Sequence, residues 1–254
     1  MKIKHFVIFI TLSCFFSCTE QPKGLKTIKG KQININNEVS ISKEIDSFIT
    51  PFKLQIAADS VLNASLSYAP KVILKESDKM NSPLGNLLAD IIYEQSDSVF
   101  YSETGKHVDF ALLNYGGIRA NIPIGNITKK LVYKIMPFEN KIIIAELPSE
   151  AITELLAYLI EKKRGHPVSK QIQLILDKNR KLKKFTINGQ KTSPNKTYFV
   201  ATYDFLYNGG DAMNFFKKSV NTYQTNYLAR DAMTDYFMKK DTIISNTDDR
   251  FIIK

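Results

Sequence analysis

Cysteine is nearly absent: the chain of 254 residues holds two, Cys14 and Cys18, both close to the N-terminus. That excludes a disulfide scaffold and a cysteine-built zinc site. Histidine is almost as scarce, with three residues (His5, His107, His166), which argues against a histidine-rich metal centre. Tryptophan is missing altogether, and this decides nothing, because 16 Phe and 12 Tyr supply aromatic surface for a core and for a stacking site. Eleven Gly and nine Pro, without a period, exclude a collagen-like or low-complexity chain. What is there is ordinary for a globular protein: 44% hydrophobic and 24% charged residues exclude wholesale disorder. The length suits one large domain or two small ones.

Long hydrophobic runs are also lacking. The longest, Phe6 to Phe16, is broken by Thr11 and Ser13 and falls short of the ~20 residues that cross a bilayer. With Lys2 and Lys4 before it and Ser17-Cys18 after it, the run reads as a signal segment, residues 1–17. The pattern is that of a lipoprotein leader, with Cys18 as the acylated mature N-terminus. A soluble secreted protein, or cleavage at Ser13-Cys14, are the alternatives. Residues 18–43 are polar and read as a tether. The expected location is the cell envelope, lipid-anchored, on the periplasmic or outer-membrane face. Charge is unbalanced, with 35 Lys+Arg against 25 Asp+Glu, a formal net charge of +10. The lysines are dispersed, and runs such as Lys181, Lys183, Lys184 read as solvated faces. Nucleic-acid regulation is therefore not expected; anionic ligands or an acidic partner are.

No repeat or low-complexity linker interrupts residues 44–254, which are taken as one domain. Residues 43–67 are predicted mainly helical, with Ile45, Phe48, Ile49 and Phe52 on one face, and 71–75 extended. Ser82 caps a helix that has Pro83 in its first turn and Leu84, Leu87, Leu88, Ile91 and Ile92 on its inner face. Val108 to Asn114 reads as a buried strand, Thr128 to Met136 as a short helix, and Asn140 to Leu147 as a strand. Ser149 is expected to cap a helix running to Glu161. Residues 171–203 alternate like antiparallel strands, with turns at Asp177-Lys178-Asn179 and Asn188-Gly189. A last helix spans Tyr227 to Phe237. The expected class is α/β, of the mixed α+β kind.

Two glycine turns carry chemistry. Asn114-Tyr115-Gly116-Gly117-Ile118-Arg119 leaves a buried strand. Paired glycines let a backbone approach a ligand, and an arginine offers a planar fork for phosphate or carboxylate. The competing reading is a tight strand exit with an ordinary surface arginine. In Phe205-Leu206-Tyr207-Asn208-Gly209-Gly210-Asp211 an aromatic precedes a turn ending in a carboxylate, which suits a vicinal diol such as a ribose. The alternative is a loop with a capping Asp. In Met136-Pro137-Phe138-Glu139-Asn140, Phe138 is either a core residue or a stacking face.

Together these segments resemble the C-terminal domain of the 5′-nucleotidase family. Ser82-Pro83-Leu84-Gly85-Asn86-Leu87 looks like its opening motif. Asn114 to Arg119 is similar to its Asn-x-Gly-Gly-Ile-Arg turn, and Met136 to Asn140 to its Leu-Pro-Phe-Gly-Asn. Pro194-Asn195-Lys196-Thr197-Tyr198 with Val200-Ala201-Thr202 resembles the strand before its last motif, and Phe205 with Gly209-Gly210-Asp211 that motif itself. The likeness runs in order over roughly residues 70–240. It implies a single domain of mixed sheets flanked by helices that recognises a nucleotide or nucleoside. By the same resemblance Phe138 and Phe205 sandwich the base, Asp211 holds the ribose hydroxyls, Arg119 with Asn114 holds the phosphate, and Asn140 reaches the base or ribose edge. Gly116, Gly117 and Gly210 complete the substrate-binding set. Two departures stand out. The family's extra phosphate-binding arginines before the opening helix are replaced here by Lys75, Lys79, Asn81 and Pro83. The stretch ahead of residue 70 is too short for the family's metal-binding domain, and no Asp-x-His or Gly-Asn-His occurs. No catalytic residue and no metal ligand is therefore expected in this chain. Its expected role is that of the recognition subunit of a split 5′-nucleotidase, inactive alone, with a separate metallophosphatase chain supplying divalent metals. The alternative is a non-catalytic nucleotide-binding surface lipoprotein.

Overall fold

Residues 24–254, apart from Lys26 and Asp78, are described by a computed structural model. The predicted leader and Cys18 lie outside these residues. By internal contacts the chain divides after Pro51. In the first unit residues 27–42 form no regular element beyond a turn, as their polar composition leads one to expect. Helix α1 (Lys43–Ala58) starts there, and none of its residues is buried. Ile45, Phe48 and Phe52, read from the sequence as one apolar face, are all exposed.

Among the described residues, all the fully buried apolar ones lie in the second unit, Phe52–Lys254. The helical reading of 43–67 ends too late. A single turn, α2 (Ser60–Asn63), follows α1, and β1 (Ser65–Ala69) takes the rest, paired antiparallel with β3 (Gly125–Thr128). The extended 71–75 stretch makes one antiparallel bridge, Ile73 to Ile122.

Helix α3 (Pro83–Thr104) forms as its sequence dictates. Ser82 Oγ accepts from the Gly85 N–H at 3.1 Å, Pro83 fills the first turn, and Gly105 closes the helix in the left-handed region at φ 69°. Its inner face, Leu84 to Phe100, packs on a four-stranded sheet of order β2-β7-β4-β8. Here β2 is Phe110–Ala111, β4 Lys141–Pro148, β7 Thr197–Tyr203 and β8 Asn221–Leu228. β2 runs parallel to β7; β4 is antiparallel to both β7 and β8. Ile142 to Ala145 are buried without alternation, because helix α5 (Ser149–Glu161) also packs against β4. Each such branched side chain contributes ~1.5–3 kcal/mol by burial.

Two local expectations fail. Ser149 is the first residue of α5, not its cap; its Oγ donates to the Pro194 carbonyl at 2.6 Å. The Val108–Asn114 strand is regular only at Phe110–Ala111, though Leu112 adds a bridge to Val168.

Helix α4 (Lys129–Ile135) is capped by Thr128. A second sheet, β6-β5-β9, joins β5 (Ile172–Leu176), β6 (Leu182–Ile187) and β9 (Phe251–Ile253). Its hairpin turns where the sequence indicates: Asp177 Oδ1 accepts from the Asn179 and Lys181 N–H groups, both at 2.8 Å. β7, predicted with this antiparallel set, belongs instead to the central sheet. The chain finishes through a four-residue turn α6 (Asp204–Tyr207), β8 and helix α7 (Ala229–Met238). The C-terminal tail returns to α3. Arg250, 6% exposed, makes a two-pronged bond to Asp90, both contacts at 2.9 Å, and a further one to Asp248 at 2.7 Å.

Candidate functional site

Three loops at the ends of central elements converge. The first leaves β2 as a short 3-10 turn, Tyr115–Gly117. Asn114 before it is 5% exposed, and its Nδ2 donates to Asp211 Oδ2 at 2.7 Å. That bond fixes which side of the amide carries the donor. Gly117 is required by this packing, since a Cβ there would sit 2.6 Å from Asn114 Oδ1. Arg119 is tied by its backbone, its N–H donating to Ile135 O at 2.9 Å, while its exposed guanidinium donates to the Gly116 carbonyl at 3.3 Å.

The second loop follows α6. Gly209 takes φ 95°, and Asp211 and Ala212 are left-handed at φ 52° and 60°. Non-glycine residues there carry strain, ~1–2 kcal/mol each. Two bonds hold Asp211 in it: the one from Asn114, and one from the Tyr158 hydroxyl to the Asp211 carbonyl at 2.8 Å. Phe205 is 49% exposed, its ring lying against Gly210, where a Cβ would come within 2.5 Å of a ring carbon.

The third loop joins α4 to β4. Met136 is buried, but Phe138 is 41% exposed, which removes the core reading of that ring. Arg230 of α7 shapes the loop from below. Its guanidinium donates to the Phe138 carbonyl at 3.1 Å and lies 4.2 Å from the Tyr133 ring centre. The Asn140 carbonyl accepts from the Ala229 N–H at 2.9 Å, and its side-chain amide has only a weak contact, 3.9 Å, to Met136 Sδ.

Asn114, Gly116, Gly117, Arg119, Phe138, Asn140, Phe205 and Asp211 line one cleft of about 290 Å³, near the lower end of small-molecule sites. Gly210 is the one predicted residue outside its lining; it backs the Phe205 ring. Of the four residues ahead of α3 singled out in the sequence, Lys75 reaches the Tyr115 ring at 4.2 Å. Lys79 Nζ donates to Thr247 Oγ1 at 3.2 Å, and Asn81 is buried and donates to the Asp248 and Phe251 carbonyls. Pro83 starts α3.

Sequence reasoning missed the floor of the site. Tyr158 and His166 sit beneath Asp211 and Tyr115. The Tyr115 N–H points at His166 Nδ1 (3.4 Å), which leaves the ring proton on Nε2, facing the Tyr158 oxygen at 3.3 Å. This tautomer satisfies both ring nitrogens of a neutral histidine. Burial pushes the His166 pKa down to about 4, against the opposing pull of the Asp211 charge. Burial, then the Asp211 charge, raises Tyr158 to about 12, so it stays a donor. A tyrosine three residues after Leu155 on the buried stripe of α5 needs a partner for its hydroxyl, and that was the available signal. Arg230 had none: its alternation of charge in α7 reads as surface.

Among the described residues no group of three or more His, Cys, Asp or Glu could hold a metal ion, so the donor set does not fit a dinuclear metal centre. Nor is any described helix long and apolar enough to cross a membrane.

A family model described as 5′-nucleotidase, C-terminal domain matches residues 62–218. Protein UshA of Escherichia coli (strain K12) is 24% identical over 218 residues, 85% of this chain and 38% of that protein. Cell wall protein Lmo0130 of Listeria monocytogenes serovar 1/2a is 27% identical over 183 residues, 63% of this chain and 23% of that protein. Among solved structures, the 5′-nucleotidase precursor from Thermus thermophilus superposes with a TM-score of 0.66 at 22% identity, covering 82% of this chain and 42% of that one. The chain thus spans less than half the length of these relatives.

Proposed function

Because the chain belongs to the family of 5′-nucleotidase C-terminal domains, we propose that it is the nucleotide-recognising part of a phosphoester-cleaving assembly in nucleotide catabolism. The observation that carries this is the convergence of three separate loops, so that two half-exposed aromatic rings, one carboxylate and one guanidinium border a single cleft. Phe138 and Phe205 would take the faces of a nucleobase, at ~1–3 kcal/mol per stacked base. Asp211, held rigid by Asn114 and Tyr158, would accept from the ribose hydroxyls, and Asn140 would read an edge of the base or sugar. Arg119, with no carboxylate in ion-pair range among the described residues, would hold the 5′-phosphate through charge-assisted bonds.

The divalent metals and the attacking hydroxide would come from a metallophosphatase module outside these residues, on a separate chain in the split arrangement. This chain binds and orients the ester; the module cleaves it. The second reading is capture of nucleotides without catalysis, which asks of this chain only the cleft itself. Under either reading the chain works in the cell envelope, anchored through Cys18. The relative Lmo0130, whose name places it at the cell wall, supports that location.

The test is calorimetric titration of the purified chain with adenosine and with AMP in chelator. Saturable binding is expected for both, with Asp211→Ala weakening both and Arg119→Ala weakening AMP alone. No binding at millimolar ligand would overturn the reading. Phosphatase activity that appears only on mixing with a metallophosphatase chain would exclude simple capture.

A further inference from the structure

The loop that carries Phe138 has little of its own to hold it. Residues 136–140 form no helix or strand. Met136 is buried at one end and β4 begins at the other, but the Phe138 ring between them is 41% exposed, so core packing does not fix it. Two donors from neighbouring residues at the start of α7 take the place of a ladder. The Ala229 N–H reaches the Asn140 carbonyl at 2.9 Å, and Arg230 Nη1 the Phe138 carbonyl at 3.1 Å. The second bond acts on the residue whose ring borders the cleft.

Stability alone does not account for Arg230. Its side chain is 7% exposed, and the carboxylate it meets, on Glu139, is 83% exposed and 3.5 Å away, beyond the usual reach of an N–H···O bond. Its Nε lies buried with no hydrogen-bond partner among the described residues. A buried cation so weakly paired is costly, and an apolar side chain of similar volume serves a core as well or better. What an apolar side chain cannot do is donate to the Phe138 carbonyl. The bond is also aimed. The guanidinium carbon lies 4.2 Å from the centre of the Tyr133 ring, an attractive contact that braces the planar fork. Tyr133 stands on α4, which runs straight into the loop. Arg230 thus ties the tip of the loop both to the helix that enters it and to α7.

We propose that Arg230 is a positioning residue of the base site: it holds the Phe138 carbonyl, and through it the ring, where a planar base is gripped. This rests on the nucleotide reading above for what the ring grips. Arg230 does not line the cleft, so its effect on a ligand must pass through Phe138. The phosphate end is held by a different loop, so both phosphorylated and unphosphorylated ligands should feel the loss of Arg230 equally.

The purified chain, Arg230→Met, Arg230→Lys, Phe138→Ala and the double variant Phe138→Ala with Arg230→Met are titrated in chelator with adenosine and AMP, and each is unfolded in urea. Arg230→Met is expected to weaken adenosine and AMP alike by about tenfold, the effect of one charge-assisted bond, with a urea midpoint no lower than that of the wild type. Once Phe138 is Ala, the same change should cost nothing further. Arg230→Lys, which keeps a charge and a donor without the planar fork, should recover part of the affinity. Tyr133→Leu, at a 41% exposed ring, should weaken both ligands about threefold, and it carries the test if Arg230→Met does not fold. A ligand-free readout uses the chain's lack of tryptophan. With Phe138→Trp as the reporter, Arg230→Met should lower the tryptophan anisotropy. Unchanged affinity in Arg230→Met, a loss that persists in the Phe138→Ala background, or a loss that tracks a fall in urea midpoint overturns the proposal. If adenosine does not bind even the wild type, the nucleotide reading falls. A drop in anisotropy then leaves the positioning role standing, and an unchanged anisotropy removes that too.

Discussion

Gly210→Ala isolates the aromatic clamp with one methyl group. A Cβ at Gly210 would stand 2.5, 2.6 and 2.6 Å from three carbons of the Phe205 ring. Carbon atoms in contact rest about 3.5–4.0 Å apart, so the ring must retreat by about 1 Å or more. It is free to do so, being 49% exposed. The fold should therefore lose little, ~0.5 kcal/mol or less, as at other surface positions. The cleft should lose its second stacking face, with a penalty approaching the ~1–3 kcal/mol of one base–aromatic contact, or ~5- to 150-fold in Kd. Phe205→Ala sets the upper bound, and the double variant tests the cause. If the methyl acts only by displacing the ring, Gly210→Ala should have no effect once Phe205 is Ala. Adenosine titration of the four proteins, with urea unfolding of each, measures all of this. Wild-type affinity in Gly210→Ala, or losses that add across the cycle, would refute the reasoning.

Two further outcomes follow from buried ionisable groups. His166 is held neutral with its pKa near 4, against 6.5 in an unfolded chain. The unfolded state thus takes up a proton first as pH falls, and stability present above pH 6.5 is lost progressively down to pH 4, by up to ~3 kcal/mol at ~1.4 kcal/mol per unit. Urea midpoints across that window should fall more steeply for the wild type than for His166→Gln; parallel curves would sink the assignment. Arg250→Met removes a 6% exposed guanidinium from Asp90 and Asp248, which are themselves 29% and 45% exposed and can rehydrate. The expected loss is ~2–4 kcal/mol in the same assay, and a loss under ~1 kcal/mol would show that the tail is not held by this pair.

The parts of the fold visible in the sequence are those where local chemistry and burial agree. Ser82-Pro83 and the apolar stripe behind them mark the start and inner face of α3 without help from the rest of the chain, while its closing residue, Gly105, went unread. Strands fared worse where pairing, not pattern, makes them strands. β8, Asn221–Leu228, is polar and only half-buried, and exists because the exposed edge of β4 needs a partner. β7 resembles its hairpin neighbours in alternation, yet it sits between β2 and β4. Periodicity reports which face is buried and carries no address for the neighbouring strand.

The cleft was legible for a different reason. Its glycine turns mark themselves in the sequence, but the residues alone left the roles of Arg119, Phe138 and Asp211 open, and it is the resemblance to the 5′-nucleotidase C-terminal domain that joined the three segments into one site. What holds them was hidden, because it comes from elements distant in sequence: Tyr158 on α5, His166 on the loop beyond it, Arg230 on α7. Asp211 shows why these matter. Left-handed backbone at Asp211 and Ala212 is unfavourable by ~1–2 kcal/mol each, and two bonds, from Asn114 and Tyr158, offset it at ~1 kcal/mol or more apiece. The carboxylate is thereby fixed before any ligand arrives. Binding need not then supply the ordering of that loop, and the affinity of the two rings and the guanidinium goes to holding the ligand rather than to building the site.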